Sequence, residues 1–132
     1  MFAAYRQAGN SAAAYGRVAV ETGVAGARPV DLVVMVHEGA IEALARALVQ
    51  MKAGEIATKN ASITRAIRII DEGLRATLEP GAGPLGDNLG DLYEYMMRRL
   101  LTANLRNDPA MIEEVSNLLC ELKSAWNELA TR

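Results

Sequence analysis

Residues 32–51 read LVVMVHEGAIEALARALVQM and decide whether this part of the chain forms a strand or a helix. The first five residues alone would suit a buried β-strand. The apolar residues that follow recur every three or four positions, which is the spacing of one face of a helix. These residues are Ile41, Leu44, Leu48 and Met51. The stretch is therefore predicted to be an amphipathic helix that starts at Pro29 and is stopped by Gly54.

Two further helices are predicted downstream of this segment. The second covers about residues 56–78, and the run PGAGP at residues 80–84 breaks it. The third begins near Asp87 or Asn88, either of which could cap it, and extends to about Arg106.

A fourth helix completes the predicted architecture. Asp108 is its expected cap and Pro109 its first helical residue. Its apolar positions keep to one face of the helix, as an amphipathic packing surface requires. They are Ile112, Val115, Leu118, Leu119, Leu122, Trp126 and Leu129. Four amphipathic helices with short connections predict an all-α fold, an antiparallel up-down four-helix bundle over residues 29–132. Residues 1–28, rich in Ala and Gly, are predicted to form a mobile or short-helical N-terminal arm.

The composition limits the function of this chain. It has 132 residues, a net charge of -2 and a single cysteine, which excludes an internal disulfide framework and suits a reducing compartment. A near-neutral mixture of charges lacks the basic stripe of a nucleic-acid binder. The longest apolar runs are far shorter than the ~18–20 residues of a membrane span. No signal-peptide core precedes them, so a cytoplasmic protein without membrane insertion is expected.

Residues that could carry catalysis are scarce. His37-Glu38 lacks the second histidine four residues later that a zinc-protease helix needs, since position 41 is Ile. A di-iron site in a bundle core would need Glu-x-x-His motifs on facing helices, whereas the chain has one His. Cys120 has no base or helix N-terminus to activate it. We therefore expect no enzyme, no metal and no cofactor.

Apolar residues exceed what one core-facing stripe per helix requires. On the third predicted helix, Met97, Leu101 and Leu105 form a second stripe beside the core stripe that contains Leu100. The first helix shows a similar surplus, and Ile69 lies outside the seam of the second. Neighbouring helices could partly bury each residue, whereas together the residues could leave a contiguous apolar surface for a partner. The candidate partner-binding residues are Leu44, Leu48, Ile69, Met97, Leu101 and Leu105.

Several stretches, in this order, resemble the FliS family of flagellin export chaperones. They are residues 35–40 (MVHEGA), 66–74 (AIRIIDEGL), 88–108 (NLGDLYEYMMRRLLTANLRND) and 112–115 (IEEV). The similarity covers about residues 13–129. Two positions depart from the family pattern. At the first, His37 stands where an aromatic residue is usual. Arg28 replaces a capping Ser before Pro29, and Asp31 is expected to compensate for this lost cap.

The resemblance implies a cytoplasmic bundle that binds the C-terminal segment of flagellin, prevents premature polymerisation and keeps flagellin competent for type III flagellar export. Components of the export gate are possible further partners, and the chain is expected to be a monomer or a weak dimer. The Ala14-Tyr15 pair matches an arm motif that can cover the apolar site when it is empty, which makes Tyr15 a further candidate. The alternative is a helical-bundle adaptor that self-associates without flagellin specificity.

Overall fold

The computed structural model describes residues 28–81 and 83–131, and this part of the chain is helical without a strand. The four α-helices are α1 (Pro29–Lys52), α2 (Ile56–Arg68), α3 (Pro84–Arg106) and α4 (Pro109–Ala130). A π-helical segment, Ile69–Leu74, and a 3-10 turn, Arg75–Thr77, continue α2. The predicted arm lies outside the described residues except for Arg28, so its boundary stays a prediction.

The helices form the predicted antiparallel four-helix bundle. Each helix packs against two neighbours in the cyclic order α1, α2, α3, α4, so that α1 and α3 lie diagonally opposite. The short connections, Ala53–Glu55 and Asn107–Asp108, make successive helices run in opposite directions. Trp126 near the end of α4 packs against Leu32 and Val33 at the start of α1, which fixes the antiparallel sense of that pair.

One main core fills the space between the helices. Alanines on α1 let the neighbouring helices approach closely, while larger side chains from all four helices close the interior. The largest fully buried apolar side chains are Leu44, Ile63, Ile70, Met96, Leu100, Ile112, Val115 and Leu119. Burying one such side chain contributes about 1.5–3 kcal/mol, so these residues account for much of the gain on folding.

Two of the helix starts match their sequence signals. The Asp31 carboxylate accepts hydrogen bonds from the backbone N–H of Arg28 (3.3 Å) and from its Nε (2.9 Å), which supplies the compensation expected for the missing Ser cap. At α4, the Asp108 carboxylate accepts from the backbone N–H of Ala110 at 3.0 Å. Both carboxylates also complement the positive end of the helix dipole.

The predicted start of α3 is wrong by about one turn. The helix begins at Pro84 rather than at Asp87 or Asn88, and Gly83 precedes it with a φ of 104°. Proline has no N–H to lose in the first turn of a helix, and its fixed φ already suits helical geometry. The PGAGP sequence at residues 80–84 therefore separates the two helices and also supplies the first residue of α3.

The predicted helical stretch to about residue 78 is confirmed in extent, but it is not one regular α-helix. Regular α-helix ends at Arg68, and the chain then widens into the π-helical segment and tightens into the 3-10 turn. Gly73 lies so close to α1 that a Cβ built there would come within 2.9 Å of Cγ1 of Val36. Ile70 and Leu74 nonetheless both remain buried. The wider turn thus combines a close backbone approach to α1 with continued core packing.

Candidate functional site

The two apolar stripes predicted on α3 occupy different environments. Met96, Leu100 and Ala103 are buried in the core. The second stripe turns progressively outward: Met97 is half-buried, Leu101 is 54% exposed and Leu105 is 87% exposed. Because the core side of α3 is already filled without them, Leu101 and Leu105 add no packing that this bundle requires.

A polar crosslink brings a third apolar side chain to the same end of the bundle. The ammonium group of Lys59 on α2 donates hydrogen bonds to the backbone oxygen of Asn104 (3.1 Å) and to the side-chain oxygen of Asn107. These bonds hold the start of α2 against the end of α3. Ile56, one helical turn before Lys59, is 50% exposed beside that junction. We call Ile56, Leu101 and Leu105 the corner surface.

Lys59 itself is 2% exposed, an unusual position for a lysine. Its two acceptors include a carbonyl of the last turn of α3, where a cation also meets the negative end of the helix dipole. Asn104 contributes a further side-chain oxygen that is buried and has no hydrogen-bond partner among the described residues. Sequence reasoning did not assign Lys59 a role. Its place between Ile56 and Ile63, on the apolar side of α2, was the available signal.

The remaining candidate residues do not join the corner surface. Leu44 is fully buried in the core, so it offers no surface to a partner in this structure. Leu48 is half-buried and packs against the main core from α1. Ile69 is half-buried and lies on the opposite side of α2, facing α1. Tyr15 lies outside the described residues.

Ile69 belongs to a second concave surface, which we call the α1–α2 groove. The groove has a volume of ≈ 1100 Å³. Its apolar lining comes from α1, from Ala61 of α2 and from the π-helical segment, whereas polar and charged side chains of α2, together with Glu72, line the rest. The lining residues are Val36, Gly39, Asn60, Ala61, Thr64, Arg65, Arg68, Ile69, Glu72 and Gly73. Sequence reasoning missed this groove, although two glycines within helical patterns signalled it.

The single histidine is part of the core. The side chain of His37 is fully buried, and its Nδ1 is 2.8 Å from the backbone oxygen of Val33. Its Nε2 has no hydrogen-bond partner in the described part of the chain. Burial lowers the pKa of His37, because the charged form loses its hydration, while the bond to Val33 opposes that shift. Sequence reasoning expected a solvated or an interhelical His37, and its complete burial excludes the solvated alternative.

A polar cluster joins α3 to α4 at the protein surface. The Glu114 carboxylate accepts from Tyr95 Oη at 2.6 Å and from Arg99 Nε at 2.7 Å. The hydrogen bond from Tyr95, and then the one from Arg99, hold the pKa of Glu114 below its usual value. These three groups satisfy one another, so the cluster contributes a helix-to-helix link rather than a reactive group.

The described residues contain neither of two further features, a metal-binding cluster and a membrane-spanning helix. Across 28–81 and 83–131, no group of three or more His, Cys, Asp or Glu side chains is placed to hold a metal ion. Within the same ranges, no helix combines the length and apolar character that crossing a membrane requires. What the structure does offer is two apolar surfaces, the corner surface and the α1–α2 groove, on either side of α2.

Comparison with known proteins identifies the family of this chain. The family described as "Flagellar protein FliS" matches residues 11–132. The flagellar secretion chaperone FliS of Salmonella typhimurium is 43% identical over 120 residues, which are 90% of this chain and 89% of the relative. FliSB of Pseudomonas aeruginosa, also a flagellar secretion chaperone, is 41% identical over 117 residues, 88% of this chain and 92% of the relative. FliS of Bacillus subtilis is 31% identical over 119 residues, 90% of this chain and 85% of the relative. The chain belongs to the FliS family of flagellar secretion chaperones.

Proposed function

We propose that this protein is a cytoplasmic chaperone that binds the C-terminal segment of flagellin before export. The observation that carries the proposal is the exposure of Leu101 and Leu105 on a helix whose core face is complete without them. Apolar side chains grouped in this way on a soluble domain are typical of a partner site. The names of the relatives, flagellar secretion chaperones, supply the class of partner.

The mechanism is coupled folding and binding. A flagellin segment that is disordered when free lays the apolar face of an amphipathic helix on the corner surface and becomes helical there. Ordering such a segment costs about 2–5 kcal/mol or more. Burying one large apolar side chain contributes only about 1.5–3 kcal/mol, so several contacts must act together. While the segment is bound, the apolar face that would pack against other flagellin subunits is covered, which prevents polymerisation.

Release of the segment and export then need no chemistry from this protein. Binding that rests on burial is reversible, and an encounter with the export gate could reverse it by competing for the same segment. We propose that the protein is not an enzyme and that it works without a metal or cofactor.

Titration calorimetry with a peptide from the C-terminus of flagellin of the same organism tests the proposal. Leu101→Asp should weaken binding at least about tenfold, because a carboxylate cannot be buried without a partner. Val49→Asp is the matched control, since Val49 is also exposed (68%) but lies on α1, away from the corner surface. Absence of heat with the unaltered protein at micromolar concentration would refute the proposal, as would equal losses in the two variants.

Self-association through the same surface is the competing function. Light scattering at increasing protein concentration, without flagellin, separates the two possibilities. A tight dimer that ignores the flagellin peptide would favour an adaptor role, whereas a monomer or weak dimer that binds the peptide supports the chaperone.

The N-terminal arm, residues 1–28, is proposed to compete with flagellin for the apolar site, with Tyr15 as its main contact. The support is the Ala14-Tyr15 pair, an aromatic body with a polar tip in a stretch of small residues. Deleting residues 1–25 should raise the affinity for the flagellin peptide. A lower affinity would instead mean that Tyr15 contacts the peptide directly.

A further inference from the structure

Lys59 is a buried cation whose two acceptors both belong to the end of α3. Its side chain is 2% exposed. Nζ donates to the backbone oxygen of Asn104 at 3.1 Å and to the side-chain oxygen of Asn107, and neither acceptor carries a charge. Because taking an ammonium group out of water is costly, packing alone does not explain a lysine here. What lysine adds is a pair of directed bonds from α2 to α3.

The acceptors belong to a well-defined helix end. Asn107 ends α3 in the left-handed conformation, with a φ of 51°. The N–H of Asp108 donates to the backbone oxygen of Ala103 at 3.1 Å, which closes the last turn of α3. A left-handed residue at this position is a common way to end a helix. The end of α3 is therefore a fixed support for the hydrogen bonds of Lys59.

The start of α2 is held less firmly by its own turn. Glu55, which precedes the helix, provides no side-chain cap, and Gly54 in the connection from α1 has a φ of 74°. In addition, α2 packs less extensively against α3 than against α1. The hydrogen bonds of Lys59 therefore determine how far the first turn of α2 lies from the end of α3.

The corner surface is built from the two helix ends that Lys59 joins. Ile56 lies one turn before Lys59 on α2. Leu105 directly follows Asn104 on α3, and Leu101 lies one turn earlier. Because Lys59 is almost inaccessible, it cannot contact a partner itself. Any influence of Lys59 on binding must act through the relative positions of the three exposed apolar side chains.

We propose that Lys59 is a positioning residue of the corner surface. Its hydrogen bonds set the distance from Ile56 to Leu101 and Leu105, so that one helix of the partner can contact both sides of the surface at once. This inference rests on the proposed function and adds a residue that acts on the site without touching the partner. A surface that is already held in its binding arrangement avoids the free-energy cost of being ordered when the partner arrives.

The first test removes the crosslink. Lys59→Met should weaken binding of the flagellin peptide about tenfold in titration calorimetry, because the corner surface must then be ordered on binding. The measurement is made at a temperature at which circular dichroism shows each variant to be fully folded. Lys52→Met is the matched control: it removes the same charge from an exposed position of α1 and should leave the affinity unchanged. An unchanged affinity of fully folded Lys59→Met would overturn the inference.

The second test changes one acceptor and remains usable if Lys59→Met does not fold. Asn107→Gly removes the side-chain oxygen but keeps a residue that adopts the left-handed conformation readily, so the end of α3 is preserved. It should weaken binding about threefold. Asn107→Asp retains an acceptor for Lys59 and should bind as well as the unaltered protein. Equal affinities of the two Asn107 variants would contradict a positioning role.

The third test separates positioning from a purely structural role. Leu105→Ala should weaken binding about fivefold in the otherwise unaltered protein, but less than about twofold in the Lys59→Met background. The second loss is smaller because Leu105 is then no longer held beside Ile56. If Lys59 only stabilises the fold, Leu105→Ala changes the affinity by the same factor in both backgrounds, and the inference is wrong.

The outcomes also distinguish this inference from the proposed function. If the unaltered protein binds the peptide and Leu101→Asp weakens it, while Lys59→Met and Asn107→Gly bind normally, the inference fails and the proposed function stands. If the unaltered protein does not bind the peptide, both proposals fall.

Discussion

Each end of the bundle almost completely buries one polar or charged side chain, and the two side chains differ in their hydrogen bonding. At the Lys59 end, where α1 leads into α2 and α3 into α4, the Lys59 ammonium donates to two acceptors of α3. At the His37 end, where α1 begins and α4 finishes, Nε2 of His37 is buried without a partner in the described chain. The helix beside Lys59 is regular, whereas the π-helical segment faces α1 near His37.

This difference indicates where the fold is firmly specified and where it is adaptable. The hydrogen-bonded Lys59 favours one arrangement of the helices around it, because separating α2 from α3 would leave its donors unpaired. Oδ1 of Asn104 at the same end is also buried without a partner among the described residues, so the contrast lies in Lys59 and His37 themselves. An unsatisfied group and an irregular helix raise the free energy of the native arrangement, so a neighbouring one is closer in energy. The α1–α2 groove extends from Val36 and Gly73, near the His37 end, to Asn60 and Ala61 beside Lys59, and the corner surface lies at the Lys59 end.

The largest expected effect comes from removing the crosslink at the Lys59 end. Lys59→Met should lower the free energy of unfolding by about 2–4 kcal/mol, because the backbone oxygen of Asn104 and the side-chain oxygen of Asn107 lose their charged donor and the link between α2 and α3 is broken. Chemical denaturation followed by circular dichroism measures it. Lys52→Met, at an exposed lysine of α1, is the control and should have little effect. A loss equal to that of the control would mean that the crosslink does not stabilise this end.

The next largest effect tests the close approach at the His37 end. Gly73→Ala should lower the free energy of unfolding by about 1–2 kcal/mol, because Val36 is β-branched and cannot readily swing away from the new Cβ. Gly39→Ala should instead raise it by up to about 1 kcal/mol. Thermal melting of the two variants in parallel is the measurement. Equal shifts for both would contradict the distinction between a glycine needed for packing and one that is not.

The third prediction concerns pH. The folded-state pKa of His37 lies below its ordinary value of 6.5. Well above pH 6.5, the imidazole of His37 is therefore neutral in both the folded and the unfolded chain. As the pH falls below 6.5, the unfolded chain binds a proton that the folded chain excludes, so stability is lost by up to about 1.4 kcal/mol per pH unit. Below the folded-state pKa the loss stops growing.

His37→Phe isolates this contribution, since His37 is the only histidine. The variant should melt at nearly the same temperature at pH 7 and pH 5.5, whereas the unaltered protein should melt lower at pH 5.5. Phenylalanine also lacks the buried nitrogen, Nε2, that has no hydrogen-bond partner in the described chain. A pH dependence that persists in the variant would assign it to other groups.

The smallest expected effect is at the start of α4, on the Lys59 end. Asp108→Ala removes the hydrogen bond to the N–H of Ala110 and should cost about 1 kcal/mol, the usual contribution of a helix cap. Asp108→Asn retains the acceptor and should restore most of the stability. If the two substitutions were equally costly, charge rather than capping would be the cause.

Local signals in the sequence predicted the elements well where neighbours in the chain decide the structure. The spacing of Ile41, Leu48 and Met51 places α1 correctly, and Asp108-Pro109 marks the start of α4. The π-helical segment could not be predicted in this way, because it is linked to the contact between Gly73 and Val36, which lie far apart in the sequence.

In the candidate site, too, the local sequence pattern predicted some features correctly and missed those that depend on neighbouring helices. Leu101 and Leu105 were identified from the width of the apolar surface on one helix, and both are exposed. Leu44 fitted the same criterion, yet it is fully buried, because α1 packs more extensively against its two neighbouring helices than α3 does. Periodicity gives the direction of a side chain around its own helix. It does not say how far the next helix extends over it.

Trp126 is the only tryptophan of the chain, and it packs against Leu32 and Val33 at the His37 end. Its fluorescence therefore reports on one end of the bundle, while circular dichroism reports on all the helices together. A change of tryptophan emission that precedes the loss of helical signal would show the His37 end opening first. The protein carries its own probe at the end where its packing is least regular.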